Sequence, residues 1–156
     1  MEKLDSVENY MQKVVEKQVV SGLSVGVINK GKMELLFAGK TCFDENGMPV
    51  NENTLFDIAS LTKVVSTTTL ILQLIEMGHF SLKTPLCELL PDFKFPDVNI
   101  QQILTHSSGI VHDDKTYRKL HTKEELRTLI MGENLEYKPG TKVVYSDLAF
   151  ILMGIL

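Results

Sequence analysis

Ser60 and Lys63 stand three residues apart in the run Ile58-Ala59-Ser60-Leu61-Thr62-Lys63-Val64-Val65. On a helix, residues at that spacing share a face, so the lysine amine can reach the serine hydroxyl. A serine becomes a nucleophile only with a base beside it, and a lysine serves when burial or cationic neighbours suppress its charge. Opening a helix at Ser60 would also aim backbone N–H groups and the positive end of the helix dipole at a developing oxyanion. The bare spacing equally describes an N-cap serine followed by a solvated lysine. The apolar surroundings weigh against that second reading, because a solvated lysine is out of place among them.

Other chemistry-bearing residues point to structure. His106 precedes Ser107-Ser108-Gly109 with no Ser–His–Asp grammar around it, and reads as a loop-ordering hydrogen bond. His79 follows Gly78 and reads as a helix-end residue. His112, Asp113 and Asp114 fit no standard metal spacing and read as a polar loop. Gly39-Lys40-Thr41 is no P-loop, since Glu34 stands where the first glycine is needed. Cys42 and Cys87 form no C-x-x-C or ligand cluster and read as free thiols of a reducing compartment, which gives the cytoplasm as the expected location. No metal or organic cofactor is called for.

The elements that must position these groups follow from patterning. Leu4, Val7, Met11, Val14 and Val15 line one face of a helix expected to stop near Val20, at the Ser21-Gly22 break. Strands at 24–29 and 33–38 flank a Lys30-Gly31 turn, and 41–54 is a loop. Residues 60–78 read as a helix stopped by Gly78, with burial overriding the poor helix propensity of Thr67, Thr68 and Thr69. Shorter helices are expected near 84–90, 99–105, 122–131 and from Ser146 onward, and 142–144 is too short for a useful strand.

The chain has 156 residues, which bounds it to one domain, and its composition is ordinary for a globular protein. A net charge of −4 with only two arginines, Arg118 and Arg127, excludes a nucleic-acid binder, and no apolar run is long enough to span a bilayer. Two strands alone are marginal in water and leave both outer edges unpaired. The final stretch AFILMGIL carries no cap or polar tail. The expectation is therefore an α+β fold in which an N-terminal helix and hairpin (1–58) precede a mostly helical region (59–156). Together these form a single incomplete domain whose sheet lacks its C-terminal strands.

Several segments, in order, resemble the serine β-lactamase and penicillin-binding protein superfamily, most closely class C β-lactamases and their esterase and D-alanyl-D-alanine peptidase relatives. SVGVINKGKMELLFAGK is similar to that family's first two strands, and TLFDIASLTK to its nucleophile segment. MGHFSL with Leu89-Leu90-Pro91 resembles the connection that follows, and ILTHSSGI its L-L-x-H-x-S-G. Pro139-Gly140-Thr141 followed by Tyr145-Ser146-Asp147 resembles its P-G…Y-x-N segment.

The resemblance implies a β-lactamase/transpeptidase-like fold. It makes Ser60 the acylated nucleophile, Lys63 its proton acceptor and Tyr145 a second proton-transfer group near the leaving group. A phenol beside an ammonium is usable in acid–base work, although a core aromatic with a bonded hydroxyl would also suit Tyr145. Asp147, on the substrate-binding side, stands where class C enzymes carry Asn. A carboxylate there would favour the lysine cation, weaken it as a base and repel a substrate carboxylate, unless it is simply an acid in a helix's first turn.

The family's third motif, a K-T-G or H-x-G triplet, is absent, and with it a second oxyanion donor whose loss typically costs ~10²–10³ in turnover. The implied activity is hydrolysis of an ester or amide (a β-lactam, a D-Ala peptide or an ester) through a Ser60 acyl-enzyme, impaired in this chain. The expected partner is a small-molecule or peptide acyl substrate, with no nucleic acid and no membrane. The alternative is a non-catalytic binding or assembly module of the same fold, its sheet completed by a second copy or a C-terminal fragment.

Overall fold

The computed structural model describes residues 4–111 and 119–156. The expected polar loop at His112, Asp113 and Asp114 lies outside them. The chain divides into two compact units, 1–57 and 58–156. The described residues contain helices and one two-stranded antiparallel sheet, the α+β arrangement expected.

In the first unit, helix α1 (Asp5–Glu16) is followed by strands β1 (Gly22–Asn29) and β2 (Lys32–Gly39). The apolar stripe of α1 is the expected one; Met11 is fully buried, and Leu4, Val7, Val14 and Val15 are half-buried. The helix packs on β2. It ends four residues before the expected Val20 because Gln18 takes a left-handed conformation (φ 54°). The Gln18 and Val19 N–H groups then bond back to the Val15 and Val14 carbonyls, closing a Schellman-type end without glycine. The hairpin turn is Lys30-Gly31, both at positive φ, which suits the right-handed twist of a two-residue connection. The register runs from Gly22 opposite Gly39 to Asn29 opposite Lys32. Residues 142–144 form no strand.

The second unit is helical. Residues 61–76 are continuously helical, but Lys63–Thr68 is π-helical and only Thr69–Glu76 (α2) is regular α-helix after it. Burial does not override the threonine run as expected. Thr69 is exposed, and the Thr68 and Thr69 hydroxyls donate to the Lys63 and Val64 carbonyls, five residues back, at 2.7 and 3.1 Å. The side chains thus support the widened turn, a geometry frequent at functional sites. Gly78 (φ 80°) ends α2, with the His79 N–H bonded to the Leu74 carbonyl, so His79 is the helix-end residue expected.

Helices α3 (Leu86–Leu89), α4 (Ile100–Leu104), α5 (Lys123–Gly132) and α6 (Asp147–Met153) follow. Reciprocal capping boxes, Asn99 with Gln102 and Thr122 with Glu125, start α4 and α5. The core gathers Ile71, Leu86, Val98, Ile100, Ile103, Ile130, Leu148 and Leu152. Leu61, Val64, Val65 and Leu70 face outward.

A non-glycine residue in the left-handed region costs about 1–2 kcal/mol. Gln18→Gly is therefore expected to stabilise the chain by up to about 1 kcal/mol once glycine's extra unfolded-state freedom is subtracted. Urea unfolding would read this as a higher midpoint at unchanged slope, and a lower midpoint would refute it.

Candidate active site

Ser60 precedes the helical run 61–76 and follows Ala59, itself held at φ 43°. Three successive turns, from the Leu61, Thr62 and Lys63 N–H groups to the Ile58, Ala59 and Ser60 carbonyls, carry the chain into the helix. Lys63 opens the π-helical stretch and turns its amine back to Ser60, with Nζ donating to Oγ at 3.2 Å. Serine and lysine therefore share a face as their spacing required.

Tyr145 reaches the same hydroxyl from a distant segment, its OH donating to Ser60 Oγ at 2.6 Å. What brings it there is a set of backbone bonds between two loops. The Glu136, Gly140 and Val144 N–H groups donate to the Gly109, Ser107 and His106 carbonyls at 2.9, 2.8 and 2.9 Å. Gly109 sits at φ 85°, and a side chain there would strike the Tyr137 carbonyl, so this crossing requires glycine. Just after Tyr145, the Ser146 side chain accepts from the Ala149 N–H and caps α6, which places Asp147 in the first turn.

From there the Asp147 carboxylate takes the Lys63 ammonium at 2.6 Å. The lysine side chain is 15% exposed and the aspartate 35%. Burial disfavours the lysine charge, but the Asp147 carboxylate and Tyr145 outweigh it and hold Lys63 above its ordinary value. The two roles considered for Asp147, first-turn helix acid and stabiliser of the lysine cation, are filled by one side chain. The ammonium also lies 4.8 Å from the Tyr145 ring centroid and 5.8 Å from that of Phe150. Ser60, Lys63, Asp147 and Phe150 line an open groove of about 420 Å³ with Thr67 and Ile151.

His106 makes the loop-ordering bond expected of it, Nδ1 accepting from the Ser146 N–H at 3.1 Å. Its ring packs against Tyr145 and Phe150, with centroids at 4.6 and 4.9 Å. Burial and the Lys63 charge lower its proton affinity, against an opposing pull from Asp147. Sequence reasoning missed this contact with Tyr145, and also Ser146 and Phe150. Ser146 alone was readable in advance, as a serine ahead of an apolar helix.

The four residues singled out by sequence thus meet, and the groups at the serine are a phenol and a lysine paired with a carboxylate. An exposed serine whose hydroxyl is held by a lysine and a tyrosine, on a helical unit preceded by a helix and hairpin, defines a chain of the β-lactamase/transpeptidase-like fold. Superposition agrees: a class C β-lactamase matches with a TM-score of 0.82 and 27% identity over 96% of this chain. D-alanine carboxypeptidase AmpC from Burkholderia cenocepacia matches with a TM-score of 0.77 and 27% identity over 97%. In sequence, protein flp of Staphylococcus aureus (strain MRSA252) is 27% identical over 96% of the chain. The family model described as Beta-lactamase matches residues 7–156, and the chain belongs to that family. It spans 32% of the length of flp and 42% and 41% of the two structures.

The ion pair has a signature in alkali. Lys63 is raised above 10.5 in the folded state, so its contribution to stability is complete below 10.5 and is lost as pH climbs through the higher folded value. The stability difference between the wild type and Asp147→Asn is therefore expected to shrink above pH 10.5. Paired urea titrations at pH 8 and at rising alkaline pH would show it, and a constant difference would refute it.

Proposed function

We propose that this chain carries the nucleophile half of a serine hydrolase that acylates Ser60 with an ester or amide carbonyl and then hydrolyses the acyl-enzyme. The observation that carries this reading is the 2.6 Å bond from Tyr145 to Ser60 Oγ, made alongside the Lys63 amine at 3.2 Å. Family membership and the likeness to a β-lactamase and a D-alanine carboxypeptidase support it. The acyl donor on this reading is a β-lactam, a D-Ala peptide or a simple ester, and the compartment is the cytoplasm, in keeping with the two free thiols.

At rest, Lys63 is a cation and has no lone pair for the serine proton. Asp147 resolves this. As Ser60 Oγ bonds to the carbonyl carbon, its proton passes to Lys63 while Lys63 releases one to Asp147 across 2.6 Å. The tetrahedral adduct collapses, its bond to the leaving group breaks, and the leaving group takes the Tyr145 hydroxyl proton. The Lys63–Asp147 pair returns a proton to Tyr145. Water then attacks the acyl carbonyl, and the same groups move its proton back to Ser60 as the acid departs. Asp147 is thus a proton sink, and its charge sets it against a substrate carboxylate.

A second reading, as a binding or assembly module, is favoured by the hairpin, where Ile28, Met33 and Leu35 are exposed. On that reading a second copy or a C-terminal segment completes the sheet, and the molar mass in solution would exceed that of a monomer.

Intact-protein mass after exposure to a fluorophosphonate, and separately to a penicillin, tests the first reading. A single adduct is expected on the wild type, none on Ser60→Ala, and formation slowed by ~10²–10⁴ in Tyr145→Phe. A folded wild-type chain that takes no adduct, or a Tyr145→Phe chain that labels at full rate, would overturn it.

A further inference from the structure

His106 grips three consecutive residues. Its backbone carbonyl accepts from the Val144 N–H at 2.9 Å, its Nδ1 accepts from the Ser146 N–H at 3.1 Å, and its ring lies against Tyr145 between them, at 4.6 Å and 31°. The Tyr137 hydroxyl donates to the same carbonyl at 3.3 Å, so the histidine is itself anchored. Its backbone stands at φ 54°, in the left-handed region that histidine shares with asparagine and aspartate. Because Nδ1 accepts, the ring proton must sit on Nε2 and the imidazole must be neutral. Among the described residues, the titratable groups facing the ring are Lys63 from the helical run 61–76, Asp147 from α6 and the Tyr145 phenol from the loop before it.

We infer that His106 is a positioning residue for Tyr145, aiming the phenol at Ser60 Oγ in its neutral form and releasing it when Nδ1 is protonated. This deepens the proposed function and rests on it. Protonation would end the bond from Ser146, since an N–H at Nδ1 cannot accept, and would put a second cation beside Lys63. Burial and Lys63 hold His106 below 6.5, so the neutral form is complete above that value and is lost as pH falls through the lower folded one. The site would then switch off in mild acid through a residue that never touches substrate.

Two variants separate the grip from the ring. Asn tolerates the backbone at 106 and offers an acceptor near Nδ1 that does not titrate; Phe keeps a ring and offers none. The rate of fluorophosphonate labelling of Ser60 would be followed by intact mass from pH 8 down to pH 4, with circular dichroism to confirm folding. The wild type is expected to lose labelling in a step below pH 6.5. His106→Asn is expected to be slower by ~10-fold at pH 8 but to show no such step, and His106→Phe to be slower by ~10²-fold throughout. An unchanged acid step in His106→Asn, or full-rate labelling by folded His106→Phe, would overturn the inference.

Nitrogen NMR of the wild type reads the same role without chemistry. The proton is expected on Nε2, and the Ser146 amide resonance should move as His106 titrates. A proton on Nδ1, or an indifferent Ser146, would overturn the positioning role even if Ser60 labels. If Ser60 takes no label while these resonances behave as expected, the nucleophile reading fails and the grip on residues 144–146 stands.

Discussion

Three backbone hydrogen bonds, from residues 136, 140 and 144 to the carbonyls of 109, 107 and 106, hold the candidate site together. Ser60 immediately precedes the helical run that carries Lys63, and their meeting is settled by the few residues between them. Tyr145 has no such guarantee. It is an exposed side chain on a loop without regular structure, and nothing local aims it. The two loops aim it by satisfying one another's backbone groups, which buried polar backbone requires in any case. Gly109 permits the crossing, and Ser146 converts its end into the start of α6. One piece of loop geometry thereby fixes both a phenol and a carboxylate.

The electrostatics follow from that placement. A lysine beside a serine is chemically useful when its charge can be given up, and Asp147 opposes this by stabilising the cation. The same carboxylate, 2.6 Å away, is also the nearest place to put the surplus proton. An asparagine at this position would leave a net positive site, whereas the aspartate brings lysine and acid to near neutrality. The serine then sits in a groove whose attraction for anions is largely cancelled.

Legibility in the sequence tracked how local the cause was. The stripe of α1, the Lys30-Gly31 hairpin and the glycine stop of α2 each depend on a few neighbouring residues, and each was readable. So was the meeting of Ser60 with Lys63. The π-helical turn was not, because threonine reads as a weak α-helix former until its hydroxyl finds a carbonyl five residues back. The end of α1 was missed for a similar reason: Gln18 adopts a conformation that its residue type discourages. The approach of Tyr145 was legible only through resemblance, since no periodicity links two loops so far apart. The exposure of Leu61, Val64 and Val65 was not legible, because apolar patterning says that a residue favours burial, not that a partner is present to bury it.

The π-helical turn at Lys63–Thr68 amounts to one residue added to an α-helix. One residue is about 100° of helical rotation. The turn therefore acts as a phase shifter between two faces of one rod, one presenting Lys63 to the groove and the other presenting Ile71 to the core. Loss of a single codon from this stretch would leave the helix intact and its composition nearly unchanged, yet would swing reagent and core out of step. The tolerance of the stretch after Lys63 is thus a matter of count more than of kind: side chains can be exchanged where Lys63 and the hydroxyls at 68 and 69 are kept, but the number of residues cannot.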